Sequence, residues 1–479
     1  MCHENNCTRK VRCGETPQPT RETRVLPRTR MRDSFKVISG SICAPHGFKA
    51  AAVFCDIKRL GTGKGSEKGR KRDLGLIASD ASAAVAGMFT TNQVCAAPVK
   101  LSASRATKSF ARAIVVNSGN ANACTGRQGF TDAKRMTETA ATLLKLRAGD
   151  VLVCSTGRIG VPMPMKNVER GIRACAPLLT RSATNARQVA EAIMTTDTHR
   201  KEIAVELKIG KSTVRIGAIC KGAGMIQPRM VEATGLWPVG NAKMTARRAV
   251  ATGHATMLAF ITTDVAIEPK ILKRALRIAV EQSFNRITVD GDMSTNDSVI
   301  MFANGFARNS KVQSRNSKFQ DALNFVCLEL AKMMVHDGEG VSRFITLHVH
   351  GARTASQAEA AARAIANSSL VKASWCGGDP NWGRILCALG YSNAKVNESL
   401  VDIGYAKPGS RKILFAFRRG RPTNLALKTL AKITTAPEFE LHVNLHLGRA
   451  DFTMWASDLT EDYVALNKGD VNDPATLGG

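Results

Sequence analysis

Apolar, β-rich runs in this chain repeatedly break off into dense knots of Gly, Asn, Ser, Thr and Asp. Val115-Val116 leads into Asn117-Ser118-Gly119-Asn120-Ala121-Asn122, and Val153-Cys154 into Ser155-Thr156-Gly157-Arg158-Ile159-Gly160. Thr288-Val289 leads into Asp290-Gly291-Asp292 and on to Ser294-Thr295-Asn296-Asp297. Met334-Val335 leads into His336-Asp337-Gly338-Glu339-Gly340, and a further knot spans residues 377–384. Glycine lets a backbone turn sharply and approach a ligand, while the small polar residues supply donors and acceptors. One such knot marks a turn. Their repetition at element ends predicts loops that converge on one polar site.

The apolar runs themselves give the fold class. Strands are predicted at residues 112–117, 150–154, 214–219, 258–267, 344–349 and 439–447. The last alternates strictly, with Phe439, Leu441, Val443, Leu445 and Leu447 on one face and polar residues on the other, as a half-buried strand requires. Helical periodicity occupies 133–146, 271–284, 318–335 and 355–367. There is no regular βαβ alternation and no internal repeat, so an α+β fold follows. At 479 residues the chain has material for two domains or one large composite one.

Several function classes are set aside by composition. The formal net charge of +29 invites a nucleic-acid reading. The charges are dispersed, however, and no zinc-finger spacing, RNA-binding aromatic signature or basic zipper accompanies them; anionic small molecules are the better partners. No apolar stretch is long enough to span a bilayer. The 13 cysteines are scattered without a CxxC pair, which points to free thiols in a reducing compartment. His348/His350 and His442/His446 sit in alternating runs and read as one face of a sheet; no metal is expected. Residues 1–34 are Arg- and Thr-rich without apolar periodicity, a basic disordered tail or a targeting segment. The compartment is cytoplasmic, or the mitochondrial matrix or a plastid if that segment is a transit peptide.

Read together, the blocks NSGNANACTG (117–126), STGRIG (155–160), MTTDT (194–198), KGAGMIQP (221–228), ATMLAFITTD (255–264), VDGDMSTND (289–297), DGEG (337–340) and DPNWGRI (379–385) resemble the ornithine acetyltransferase (glutamate N-acetyltransferase) family. The resemblance covers roughly 35–467. It implies a layered α/β/β/α sandwich like that of N-terminal-nucleophile enzymes, with a smaller second α/β lobe. It also implies a precursor that cuts itself between Ala255 and Thr256. Residues 35–255 would then form an alpha chain and 256–479 a beta chain opening on the nucleophile Thr256, and two of each would make a heterotetramer.

The implied reaction moves an acetyl group from N2-acetylornithine to glutamate through an acetyl-Thr256 ester. Thr156 and Gly157 map onto the family's oxyanion hole. Thr195, Lys221, Thr256, Glu339 and Asn467 map onto its substrate-binding positions. No metal or bound cofactor is required; acetyl-CoA is a co-substrate in bifunctional members, which share these motifs. Self-processing amidases and aminopeptidases use the same nucleophile logic and pass the acyl group to water, and an unprocessed inactive homologue would keep the same residues.

Two departures from the family pattern stand out. Residues 231–254 intervene where the KGAGMIQP block ordinarily runs almost directly into the cut, a position from which they would displace Lys221 and the Ala255 carbonyl from Thr256. Cleavage is accordingly expected to be less efficient. The chain also runs on past Asn467 in a polar tail, so no terminal Ser or Thr is assigned to substrate.

Overall fold

The computed structural model describes residues 34–58, 71–233, 254–312 and 317–468. The expected tail (apart from Ser34) and most of the inserted segment lie outside them.

A ten-stranded mixed sheet forms the larger lobe. Its spine is the strand Leu258–Ile267, antiparallel to Ser212–Lys221 on one side and parallel to Ser298–Val312 on the other. The latter lies against the 17-residue strand Leu74–Thr90. This long strand serves two parts of the sheet. Its first residues pair with Phe48–Val53 and Phe110–Asn117, and its last pair with residues 298–303 and with Met230–Glu232. Between Ala78 and Ala83 the ladder to Phe110–Asn117 shifts register, a bulge of the kind that bends a strand.

The bend folds the sheet into two layers, and three cores record it. Val85, Phe89, Val116, Leu152, Ile219, Phe260 and Phe302 make one inner core drawn from both halves. Their neighbours on alternate positions face outward, as a pleat demands. Ala259, Ile261, Val299 and Met301 pack with residues of the helices Pro269–Glu281 and Ser317–His336. Leu76, Val115 and Val153 pack with residues of Gly126–Leu144 and Met165–Cys175. The order is therefore helices, sheet half, sheet half, helices: the expected α/β/β/α sandwich.

The second lobe is a seven-stranded sheet with its own core. Phe344–Ala352 runs parallel to Glu438–Asn444 and antiparallel to Ala450–Ser457. Ile345, Leu347, Leu441 and Val443 point into a core shared with the helices Ala355–Ala366, Ser369–Cys376, Trp382–Gly390 and Leu427–Thr434.

Two expectations change. The strand predicted over 439–447 ends at Asn444, because His446 takes a positive φ of 50°. The knot at 377–384 joins two helices of the second lobe, with the Asn381 side chain accepting from the Arg384 N–H as a cap; it is not one of the converging loops. Val231 and Glu232, the first residues of the segment 231–254, belong to a strand.

Candidate active site

Thr256 lies two residues before the spine strand and is only 3% exposed. Its backbone is held from both sides. The Thr256 N–H donates to Ser294 Oγ (2.8 Å), and its carbonyl accepts from Thr156 Oγ1 (3.3 Å). Just beyond, the Met257 N–H donates to Asp297 Oδ1 (3.2 Å) and its carbonyl accepts from the Ser298 N–H (3.1 Å). Just before, His254–Ala255 makes a short antiparallel ladder in which Ala255 faces Gly157. The Ala255–Thr256 bond is thus gripped between the STG knot and the MSTND knot.

Those knots are locked to one another by side-chain amides. Asn296 Nδ2 donates to the carbonyls of Ala121 (2.8 Å) and Ser155 (2.7 Å), so one side chain fastens three loops. Ser155 Oγ donates to Asn117 Oδ1 (2.6 Å), and Asn117 Nδ2 to the Asn120 carbonyl (2.9 Å). Fully satisfied buried networks of this kind hold their members in one arrangement. Gly157 sits where only glycine fits: φ is +120°, and a Cβ there would lie 2.4 Å from the Gly119 carbonyl carbon and 2.6 Å from the Asn120 nitrogen. Gly157→Ala is therefore expected to destabilise the protein by at least ~1–3 kcal/mol, the usual range for a strained backbone, with the backbone clash adding to it. An unfolding midpoint unchanged from wild type would contradict this close approach.

Lys221 closes its strand as the register partner of Leu258, with no exposed surface. Its Nζ donates to Thr195 Oγ1 (2.7 Å) and Thr156 Oγ1 (3.2 Å) and stands 3.7 Å from Asp197 Oδ2. Burial outweighs the nearby carboxylates and holds its ammonium below the ordinary lysine range. Asp197 organises this corner. It accepts from Lys201 Nζ (2.6 Å), from the Gly222 N–H (2.6 Å) and from the Thr195 N–H (3.0 Å). Burial works against its charge, but Lys201 and Lys221 beside it prevail and hold the carboxyl below the usual range. Asp297 is the opposite case: burial pushes its carboxyl well above that range.

Glu339 lies against the next turn of chain. Its N–H donates to the Ala223 carbonyl (3.0 Å), and its carboxylate packs on Gly224, where a Cβ would lie 2.4 Å from Oε2. Asn467 Nδ2 donates to Glu339 Oε2 (2.8 Å). The structure thus brings Thr156, Gly157, Thr195, Lys221, Ala255 and Thr256 into one cluster, with Glu339 and Asn467 as a pair on the glycine turn that follows Lys221. The expected displacement by the insertion is not seen: at its ends Ala255 stays in register with Gly157, and Lys221 with Leu258.

Sequence reasoning missed Asp197, Lys201, Ser294, Asn296 and Asp297. All but Lys201 lie inside the quoted blocks, so the polar knots carried the signal. What was absent was which backbone group each side chain would reach.

The ArgJ family model matches residues 50–469. The arginine biosynthesis bifunctional protein ArgJ of Symbiobacterium thermophilum is 44% identical over 433 residues, spanning 90% of this chain and 98% of that protein. The glutamate N-acetyltransferase of Methanocaldococcus jannaschii is 40% identical over 437 residues, again 90% and 98%. Among solved structures, ornithine acetyltransferase complexed with ornithine from Mycobacterium tuberculosis is 35% identical, with a TM-score of 0.36, over 41% of this chain and 100% of that one. The chain belongs to the ArgJ family.

Proposed function

We propose that the chain transfers an acetyl group from N2-acetylornithine to glutamate, giving ornithine and N-acetylglutamate, after cutting itself between Ala255 and Thr256. The observation that carries this reading is the double grip on Thr256, with the Ser294 hydroxyl at its nitrogen and the Thr156–Gly157 turn on its other side.

In maturation, the Thr256 hydroxyl oxygen attacks the Ala255 carbonyl carbon and the peptide C–N bond breaks. Water then hydrolyses the resulting ester, leaving an Ala255 carboxylate and a free Thr256 α-amine. An α-amine titrates near ~7.7–8.0, so its neutral form can accept the hydroxyl proton at physiological pH. The oxygen adds to the acetyl carbonyl, ornithine leaves with the proton, and an acetyl ester remains. The glutamate amine then attacks that ester, and Thr256 recovers its proton. Each tetrahedral oxyanion would be met by the Thr156 hydroxyl and the Gly157 N–H. Lys221 suits a substrate carboxylate, and Glu339 with Asn467 suits an ammonium. Nothing in these steps calls for a metal or a bound cofactor.

The two products would stay together for a topological reason. The spine strand and Ser298–Val312, both beyond the cut, lie between Ser212–Lys221 and Leu74–Thr90, both before it. Separating the chains would mean breaking two complete ladders inside one core. We further propose two copies of each chain per particle, to be checked by sedimentation. No described helix is long and apolar enough to cross a membrane, and a cytoplasmic location is the proposal.

The deciding assay measures ornithine release from N-acetylornithine with and without glutamate. Release that depends on glutamate and yields N-acetylglutamate supports the reading; equal release into water alone would make the protein an amidase. Repeating it with acetyl-CoA as donor tests bifunctionality. Thr156→Val is expected to lower kcat by about 10²–10³, the usual effect of losing one oxyanion donor. A change confined to KM would remove Thr156 from that role.

A further inference from the structure

The parallel strands Phe344–Ala352 and Glu438–Asn444 place His348 opposite His442 and His350 opposite Asn444. Their alternate residues fill the second lobe's core, so the pleat gathers His348, His350, Glu440 and His442 on the other face. There the imidazoles stack, His348 on His442 with 4.7 Å between centroids and His350 on His442 with 5.7 Å. Glu440 Oε2 lies 3.2 Å from His442 Nε2 and 3.9 Å from His348 Nε2. One ligand atom from each of these three residues falls within 4.8 Å of the other two.

Nitrogen and oxygen ligands about 2.0–2.2 Å from a tetrahedral ion are separated from each other by roughly 3.3–3.5 Å. The observed separations bracket that figure, so small side-chain rotations would close the site while the ladder fixes the backbone. A supporting contact is also present. Thr453 Oγ1 lies 3.1 Å from His348 Nδ1 and can accept its proton, leaving Nε2 bare toward Glu440. Asp451 stands 3.7 Å from His350 Nδ1, and both line a cleft open to solvent. His446 does not take part, because its Nε2 pairs with Asp402 Oδ2 at 2.8 Å.

We propose that His348, Glu440 and His442 bind one divalent transition-metal ion of the zinc, cobalt and nickel class, with the fourth position open to water or His350. The sheet-face reading of these histidines holds, and the proposal departs from the expectation that they bind no metal. The site belongs to the second lobe and is independent of the acetyl-transfer proposal. Imidazole nitrogen with one carboxylate favours these ions over magnesium or calcium, which prefer all-oxygen shells.

The test is titration of the tag-free, metal-stripped full-length protein with Co²⁺ at neutral pH, followed by visible absorption and equilibrium dialysis. Because 13 cysteines compete as ligands, the spectrum is decisive: one equivalent should bind with no thiolate-to-cobalt charge-transfer band. His442→Gln and Glu440→Gln should each weaken binding at least about tenfold, using the usual loss for a perturbed metal site as the lower bound. Circular dichroism and an unchanged unfolding midpoint show that each variant is folded; Glu440→Gln, matched in shape, is the variant to rely on if a histidine change disturbs the sheet. A thiolate band at the first equivalent, or unchanged affinity in Glu440→Gln or in the His348→Gln/His442→Gln double variant, would overturn the proposal.

Discussion

Thr256→Ala is expected to leave the chain uncut, a single band at 51.4 kDa on a denaturing gel, and to abolish acetyl transfer. The one change removes the proposed nucleophile of both proposed reactions. The uncut nitrogen also remains an amide, which has no lone pair available to act as a base. Loss of a catalytic nucleophile in comparable covalent mechanisms costs about 10⁴–10⁶ in kcat. N-terminal sequencing of the wild type should then find a chain starting at Thr256. Thr256→Ser separates the two roles: it keeps the hydroxyl, loses the methyl that faces Gly222, and should still cleave, more slowly. Wild-type protein that stays at full length yet turns over would refute the dependence of catalysis on the cut. The ladder between His254–Ala255 and Gly157–Arg158 gives the bond a defined place beside the proposed oxyanion turn, and so argues for cleavage despite the inserted residues.

Asp197→Ala should destabilise the larger lobe by about 3–5 kcal/mol, the usual penalty for stripping a buried ion pair of one partner. Lys221 would lose its nearest carboxylate, and Lys201 would keep Asp337, 2.5 Å from its Nζ, and the His199 carbonyl at 3.5 Å. The Gly222 and Thr195 N–H groups would lose their acceptor too. The effect has a pH signature. The Asp197 carboxyl is held below its unfolded value, so its contribution is present in full above that value, near ~3.9. It is lost as pH falls through the lower folded one. Denaturant unfolding should therefore show a wild-type advantage at neutral pH that closes in strong acid. A loss under about 1 kcal/mol at neutral pH would mean that the cluster holds together without its central carboxylate. Acetyl transfer should fall in the same variant, because Lys221 is aimed at Thr195 and Thr156 by the charge behind it.

Both predictions rest on residues whose legibility in the sequence differed. The spine strand was readable because seven of its ten residues are apolar, Leu258–Ile261 and Val265–Ile267 flanking Thr262, Thr263 and Asp264, and the predicted 258–267 is what forms. Leu74–Thr90 was not readable. Ala78, Ala81, Ala83, Ala84 and Ala86 dilute its apolar signal, and burial on both faces over much of its length removes the alternation that marks a strand. It is nonetheless the strand on which the sandwich bends. The helix Pro269–Glu281 announced itself by its apolar period and by a proline in its first turn; the short helices around Trp375, lacking a strong period, did not.

At the site, local sequence carried the identity of the groups and little of their arrangement. Glycines at sharp turns and polar residues at strand ends were legible, while Thr256 was nominated only by the resemblance of the blocks on either side of it. Asp197 read as one more polar residue in MTTDT, because its partners lie 4, 24 and 25 positions away on other elements. The histidines show the same division. Their alternation predicted one face of a sheet, and pairing in parallel register put His348 beside His442 across 94 residues.

By itself, then, the sequence determined the spine strand and the blocks that carry the family resemblance, and that resemblance nominates Thr256 and the Ala255–Thr256 bond. Each of these depends on residue types within short stretches of chain. Tertiary structure alone decided that Thr156, Thr195, Lys221 and Thr256 share one pocket of hydrogen bonds, and that the chain re-enters that pocket in register after its inserted residues. The reason is physical: such contacts depend on the bend and ladder register of a sheet built from distant segments, and a one-residue slip, which no local pattern forbids, would turn every one of those side chains to the other face.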